Sequence, residues 1–385
     1  MKNAFFPVRF FLVFSLFSFF SFQAAPSFAE ETESHEFASS ASCKQCHGDI
    51  YESWKNSLHA QSLSDPVFKA AYIESYYQTA GESKALCLKC HAPIARENGD
   101  YDLKLPITQE GITCDFCHSV TDVKIGTVGN EFILDSSNTK HGPLKNPTKT
   151  KSHASTYSPL HLSAKFCGGC HEYINEHGVS VMSTFSEWKN GPYEKKGITC
   201  QNCHMPLVEG DAVTDGTKNS SRRINSHDIA GGHNIKQLQK ALKIKVEKII
   251  KEANNKIIVR VSITNVGSGH RVPTGIPSRK VLLKVSLTQN GKVRGYEKRE
   301  YRKELLDING NIITNDADLM GTSAVQVGFD NRIFPKEKRE EAFVFFVPDS
   351  NVKLKAVAKL SYSYKPLLLT EEEITVELGK DQLTK

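Results

Sequence analysis

The chain has 385 residues, with 10 Cys, 14 His, 49 Lys and Arg and 43 Asp and Glu, a formal net charge of +6. Its first 29 residues differ from the rest. Lys2 and Arg9, an apolar run from Phe10 to Phe22 broken only by Ser, and Ser27-Phe28-Ala29 as a small-residue cleavage site read as a secretory signal peptide. The run is too short to span a bilayer and no later run reaches that length, which excludes a cytosolic enzyme and an integral transporter.

Behind the signal, residues 30–210 are expected to form one domain that carries all ten cysteines. Tyr51 to Gln61 and Asp65 to Thr79 are predicted helical, the second opened by Asp65-Pro66 as cap and first-turn proline. Residues 121–160, rich in Gly, Pro, Ser and Thr, read as loop. Two local echoes stand out: Gly111-Ile112-Thr113-Cys114 against Gly197-Ile198-Thr199-Cys200, and Trp54-Lys55-Asn56 against Trp188-Lys189-Asn190. Five residues past the Trp stands His59 in one copy and Tyr193 in the other, Tyr193 being the better fit to packing.

Residues 211–235 read as a polar linker. From residue 236 apolar residues alternate in runs at 241–251, 255–265, 279–289, 292–302, 340–347, 353–364 and 372–378, separated by turn signals at Asn254, Asn290-Gly291 and Pro348-Asp349. Short runs of period two without cysteine predict an antiparallel β-sandwich over 236–385. The stretch 305–338 is either a docking loop or a disordered insertion. The fold class is therefore α+β, a domain of short helices and loops followed by a β-sandwich.

The cysteines decide the chemistry. They form five Cys-x-x-Cys pairs, each followed directly by His: Cys43 and Cys46 with His47, Cys87 and Cys90 with His91, Cys114 and Cys117 with His118, Cys167 and Cys170 with His171, and Cys200 and Cys203 with His204. This pattern attaches haem c: two thiols add across the two vinyl groups, and the adjacent imidazole reaches the iron from one face. Disulfides or zinc compete, but five chance placements of 14 His among 385 residues would occur less than about once in ten million sequences. With five haem c and about 34 residues for each, the haems themselves must be the interior of this domain. Removal of Lys2 and Arg9 takes the formal charge from +6 to +4, and each ferric haem c adds about −1. The basic balance is thus no evidence for nucleic acid, and Lys and Arg are expected to pair with propionates.

Each iron has a sixth position. Beyond the motifs stand His35, His59, His141, His153, His161, His177, His227, His233 and His270. Methionine is too scarce for five His/Met irons. Bis-His ligation and low potentials are the expectation. His59, His153, His227, His233 and His270 are the chosen distal candidates. His233 follows Gly231-Gly232, and His270 stands in a stiff Gly269-His270-Arg271-Val272-Pro273-Thr274-Gly275 loop. No residue is assigned a catalytic role.

The Trp54-Lys55-Asn56-Ser57-Leu58-His59 segment, Ile198 to Pro206 and Gly269 to Gly275 resemble exported multihaem cytochromes c of the cytochrome c-554 and hydroxylamine-oxidoreductase-like superfamily. That resemblance covers roughly residues 41–280. It implies closely stacked haems, a periplasmic or cell-surface location, respiratory redox chains, and His59 as a distal-ligand position. The expected function is electron transport between respiratory redox partners, meaning redox proteins or quinone-linked membrane cytochromes. A homo-oligomer stays open. The alternatives are an oxidoreductase acting on a small nitrogen or sulfur compound at an open haem, and a subunit of an extracellular cytochrome assembly.

Overall fold

The computed structural model describes Met1 and residues 36–126, 129–147, 150–213 and 223–385. Residues 2–35, which include the expected signal peptide and His35, lie outside the described residues. Residues 35–385 form one compact unit. Among the described residues no helix is long and apolar enough to cross a membrane.

The chain mixes helix and strand. Up to residue 204 the helices are short: Ser40–Cys43, Gly48–Lys55, Pro66–Gln78, Lys84–His91, Pro93–Glu97, Cys114–Ser119, Ala164–Gly168, Thr184–Lys189 and Cys200–His204. Their ends are set by side chains. Asp65 caps the third helix at Phe68 N with Pro66 in the first turn, Thr113 caps Cys114–Ser119, and Thr199 with Asn202 forms a capping box on Cys200–His204. His59 does not continue a helix from Tyr51, because the helix stops at Lys55 and residues 56–60 turn. The 121–160 region is not all loop. Val120–Gly126 pairs antiparallel with Gly129–Leu134, and Thr139–Gly142 pairs parallel with Ala154–Tyr157. These strands are short and mostly part-exposed, so they show little apolar alternation and local composition concealed them.

The seven runs after residue 236 all form strands: Leu242–Lys251, Lys256–Asn265, Arg279–Gln289, Lys292–Tyr301, Lys338–Phe346, Leu354–Tyr364 and Ile374–Thr384. One antiparallel sheet orders them 338–346, 256–265, 242–251. The other runs 292–301, 279–289, 354–364, 374–384. Asn290 and Gly291, both at positive φ, make the two-residue hairpin turn between the third and fourth strands. Inward residues of both sheets, among them Val259, Ile263, Leu283, Leu287, Phe343 and Leu360, share one apolar core. Each such side chain removed from water contributes about 1.5–3 kcal/mol.

The stretch 305–338 is ordered. It carries the strands Lys303–Leu306 and Gln326–Asp330 and the helix Asp316–Met320. Leu305, Leu319 and Ala324 pack on Val179 and Val181 of the cysteine-bearing part. Asn175 Nδ2 donates to the Ala324 carbonyl at 2.7 Å, and the buried Lys303 ammonium donates to the Ser180 and Val181 carbonyls. This segment fastens the sheets to the helices.

Candidate haem-binding site

The helix-rich part and adjoining residues of the sheets, among them Arg279 and Tyr362, line a continuous cavity of about 2240 Å³, more than twice the upper range of about 1,000 Å³ for a single small-molecule pocket. All ten cysteines and all five motif histidines line it. Of the other histidines, His59, His141, His153, His161, His227, His233 and His270 line it as well.

The imidazoles are set for metal. His47 Nδ1 donates to Ala212 O at 2.5 Å, His91 Nδ1 to Ser62 O at 3.1 Å, His118 Nδ1 to His141 O at 2.6 Å and His204 Nδ1 to Ala230 O at 2.6 Å. A carbonyl at Nδ1 fixes the tautomer and leaves Nε2 with its lone pair, which is how ligating histidines are commonly oriented. Burial lowers the basicity of His91, His118 and His171, the last to about 3. Neutral imidazole is the ligating form.

Facing rings complete the fit. Two imidazoles bound to one metal at about 2.0 Å have centroids about 6.3 Å apart. His59 and His171 lie 6.2 Å apart, His47 and His153 6.2 Å, and His204 and His270 6.4 Å. Burial, with the nearby His91 and His204, takes His59 to about 4. His227 donates Nδ1 to Asn225 O at 2.8 Å, and burial, with His118 nearby, lowers it to about 4. His233 stands with Arg279 and Asp65 as its charged neighbours. His118 also stacks on His161, with centroids 5.4 Å apart, but His161 Nε2 donates to Cys117 O. His141 is engaged by Asp135 at 2.8 Å and serves His118 through its carbonyl. His177 sits by Glu176.

Thiols of different motifs meet. Cys43 is hydrogen-bonded to Cys114, Cys90 to Cys170, and Cys167 to Cys200, while Cys117 lies near both Cys167 and Cys170. The motifs therefore neighbour one another as first–third, third–fourth, fourth–second and fourth–fifth. The sequence echoes have one structural meaning. Trp54 Nε1 donates to Ile112 O at 2.9 Å, and Trp188 Nε1 donates to Ile198 O at 2.7 Å. Each Trp helix thus pins the residue two before a Cys-x-x-Cys-His. Tyr193 lines the cavity, and its hydroxyl donates to Val266 O at 3.2 Å.

Sequence reasoning missed the polar lock under His270. Glu187 accepts from Ser183 Oγ at 2.8 Å, Thr274 Oγ1 at 2.9 Å and Arg271 N at 3.1 Å, and pairs with Arg332 at 2.7 Å. Arg332 also forks onto Asp330. Glu187 directly precedes the echoed Trp188, which was the one available signal.

The family described as cytochrome c554 and c-prime matches residues 42–119. A penta-heme cytochrome c552 from Thermochromatium tepidum is similar in fold. It is 24% identical with a TM-score of 0.71, over 90% of this chain and 99% of that one. A CARDB domain from Pyrococcus furiosus aligns with 37% of this chain and 88% of its own at 14% identity, but its TM-score of 0.18 carries no argument. No curated protein matches the chain. Motifs, family match and fold together support a multihaem c-type cytochrome with haem c as cofactor.

Proposed function

We propose that the chain is an exported pentahaem cytochrome of the periplasm or cell surface that passes electrons between respiratory redox partners, redox proteins or quinone-linked membrane cytochromes. When bound, haem c supplies the one-electron chemistry. The chain attaches it through the ten cysteines and holds iron through His47, His91, His118, His171 and His204. His59, His153, His227, His233 and His270 are the distal set. The domain at 30–210 holds the haems, and 236–385 acts as a β-sandwich that delivers His270. The single observation that carries this reading is the facing of motif and non-motif imidazoles at the spacing of a two-ligand metal site. The motif adjacencies support a route first–third–fourth–fifth with the second as a branch.

Two measurements test it. Mass spectrometry of protein matured with the attachment machinery should give about five times 616 daltons beyond the polypeptide. The oxidised protein should be largely low-spin. An unmodified mass refutes the haem reading, and a mainly high-spin spectrum refutes bis-His ligation.

A second reading, reduction or oxidation of a small nitrogen or sulfur compound at an open iron, is favoured by one observation. His91 stacks on Phe68, with centroids 3.8 Å apart and planes at 14°, instead of on an imidazole. Rapid cyanide binding at one haem would support it.

A further inference from the structure

Arg279 begins the strand Arg279–Gln289 and lines the cavity. Among the described residues its guanidinium forms no ion pair, and its side-chain hydrogen bond goes to the Thr274 carbonyl, NH1 to O 3.3 Å. The chain is shaped round this group. A Cβ placed on Gly232 would stand 3.1 Å from its NH1, and one on Gly275 would stand 2.8 Å away. Gly275 is also at φ +84°. Two loops, the one before His233 and the one after His270, therefore both stand against the tip of the Arg279 side chain, and the positive φ at Gly275 is a conformation that favours glycine.

The surroundings are polar and otherwise committed or neutral. The Tyr362 hydroxyl stands 3.5 Å from the same notional Cβ of Gly232 and has no hydrogen-bond partner among the described residues. Asp316, the carboxylate within Arg279's electrostatic reach, accepts from the Tyr364 hydroxyl at 3.1 Å through Oδ2, its Oδ1 has no hydrogen-bond partner among the described residues, and burial pushes its carboxyl above the ordinary range. His233 and His171 also count Arg279 among their charged neighbours. A guanidinium drawn partly out of water without an ion-pair contact is costly. Its planar fork matches a carboxylate or another oxyanion.

We propose that Arg279, assisted by the Tyr362 hydroxyl, seats an anionic oxygen ligand in the cavity, either a haem propionate or a free small oxyanion. The propionate source rests on the haem reading, so the haem mass is verified before any titration, and its absence counts against that reading alone.

The test compares haem-loaded wild type with Arg279→Gln, Arg279→Lys and Tyr362→Phe by redox titration and by Soret titration with nitrite and with sulfite. If a propionate occupies the seat, Arg279→Gln lowers one haem's midpoint, since a cation that favours the reduced state has gone, and neither anion perturbs the wild type. If a free oxyanion occupies it, the wild type shows saturable binding, weakened on the order of tenfold or more in Arg279→Gln and less in Arg279→Lys. Tyr362→Phe gives the same change, smaller, in either case. Midpoints and anion responses equal to wild type in the variants that assemble, Tyr362→Phe included, overturn the proposal.

Discussion

Replacing Glu187 by Ala tests the lock beneath His270. The carboxylate and Arg332 are 5% and 4% exposed in their side chains. Breaking a buried pair by deleting one partner costs about 3–5 kcal/mol. Here Arg332 keeps Asp330 through Nε and NH2 at 2.9 and 2.8 Å, so the cation is not orphaned and the lower end, about 3 kcal/mol, applies. With an unfolding entropy of about 2.1 cal/mol/K per residue, that lowers Tm by about 4 °C for a unit of this size. The carboxylate also holds Arg271 N and Thr274 Oγ1, which flank His270 on its loop. A second effect is expected: one haem gains high-spin character in the optical and paramagnetic-resonance spectra while the haem count matches that of the wild type. Glu187→Gln, which keeps the shape and an acceptor, should lose less on both scales. A Glu187→Ala protein with the wild-type Tm would refute the energetic argument, and one with wild-type spectra would detach His270 from the lock.

His59→Met should raise one haem's potential and His59→Ala should open one iron, with the wild-type haem count retained, as redox titration and spin-state spectra will tell. Trp188→Phe removes the donor to Ile198 O and should cost about 1 kcal/mol in denaturant unfolding, with Trp54→Phe similar through Ile112. The Ser137 hydrogen bonds and then His141 hold the Asp135 carboxyl at about 2, below its ordinary 3.8. Its stabilisation is present above about pH 4 and disappears as pH falls towards 2. The urea-midpoint gap between wild type and Asp135→Asn should therefore narrow over that window, and a constant gap would contradict it. The carboxylate is partly exposed and screened by water, so the gap will be modest. Chain made without haem attachment should lose its helical circular-dichroism signal while retaining that of the sheets, because the helices line a cavity and the sheets enclose their own apolar core.

What the sequence revealed depended on the range of the interactions. The strands after residue 236 were legible because alternation is local: the run read at 279–289 is the strand Arg279–Gln289, and Asn290-Gly291 is the turn it appeared to be. The cysteine motifs were legible because haem attachment demands fixed spacing. The strands around Val120–Leu134 were not, because a pair of short, partly exposed strands has little apolar pattern to display. Nor were Arg279 and Glu187, each an ordinary charged residue until loops 47 and 84 residues away come against it. The Trp echoes were visible as letters, but their meaning, an indole donating to an Ile carbonyl, needed the fold.

The interleaving of the cysteine motifs has a consequence for biogenesis. Cys90 meets Cys170 and Cys43 meets Cys114, so the partner of each early motif is synthesised only after 70 to 80 further residues. On the proposed function, the order of synthesis would not be the order of conduction. An attachment enzyme would have each early motif to itself while the chain is still incomplete, and the haem chain would close only once the last segments arrive.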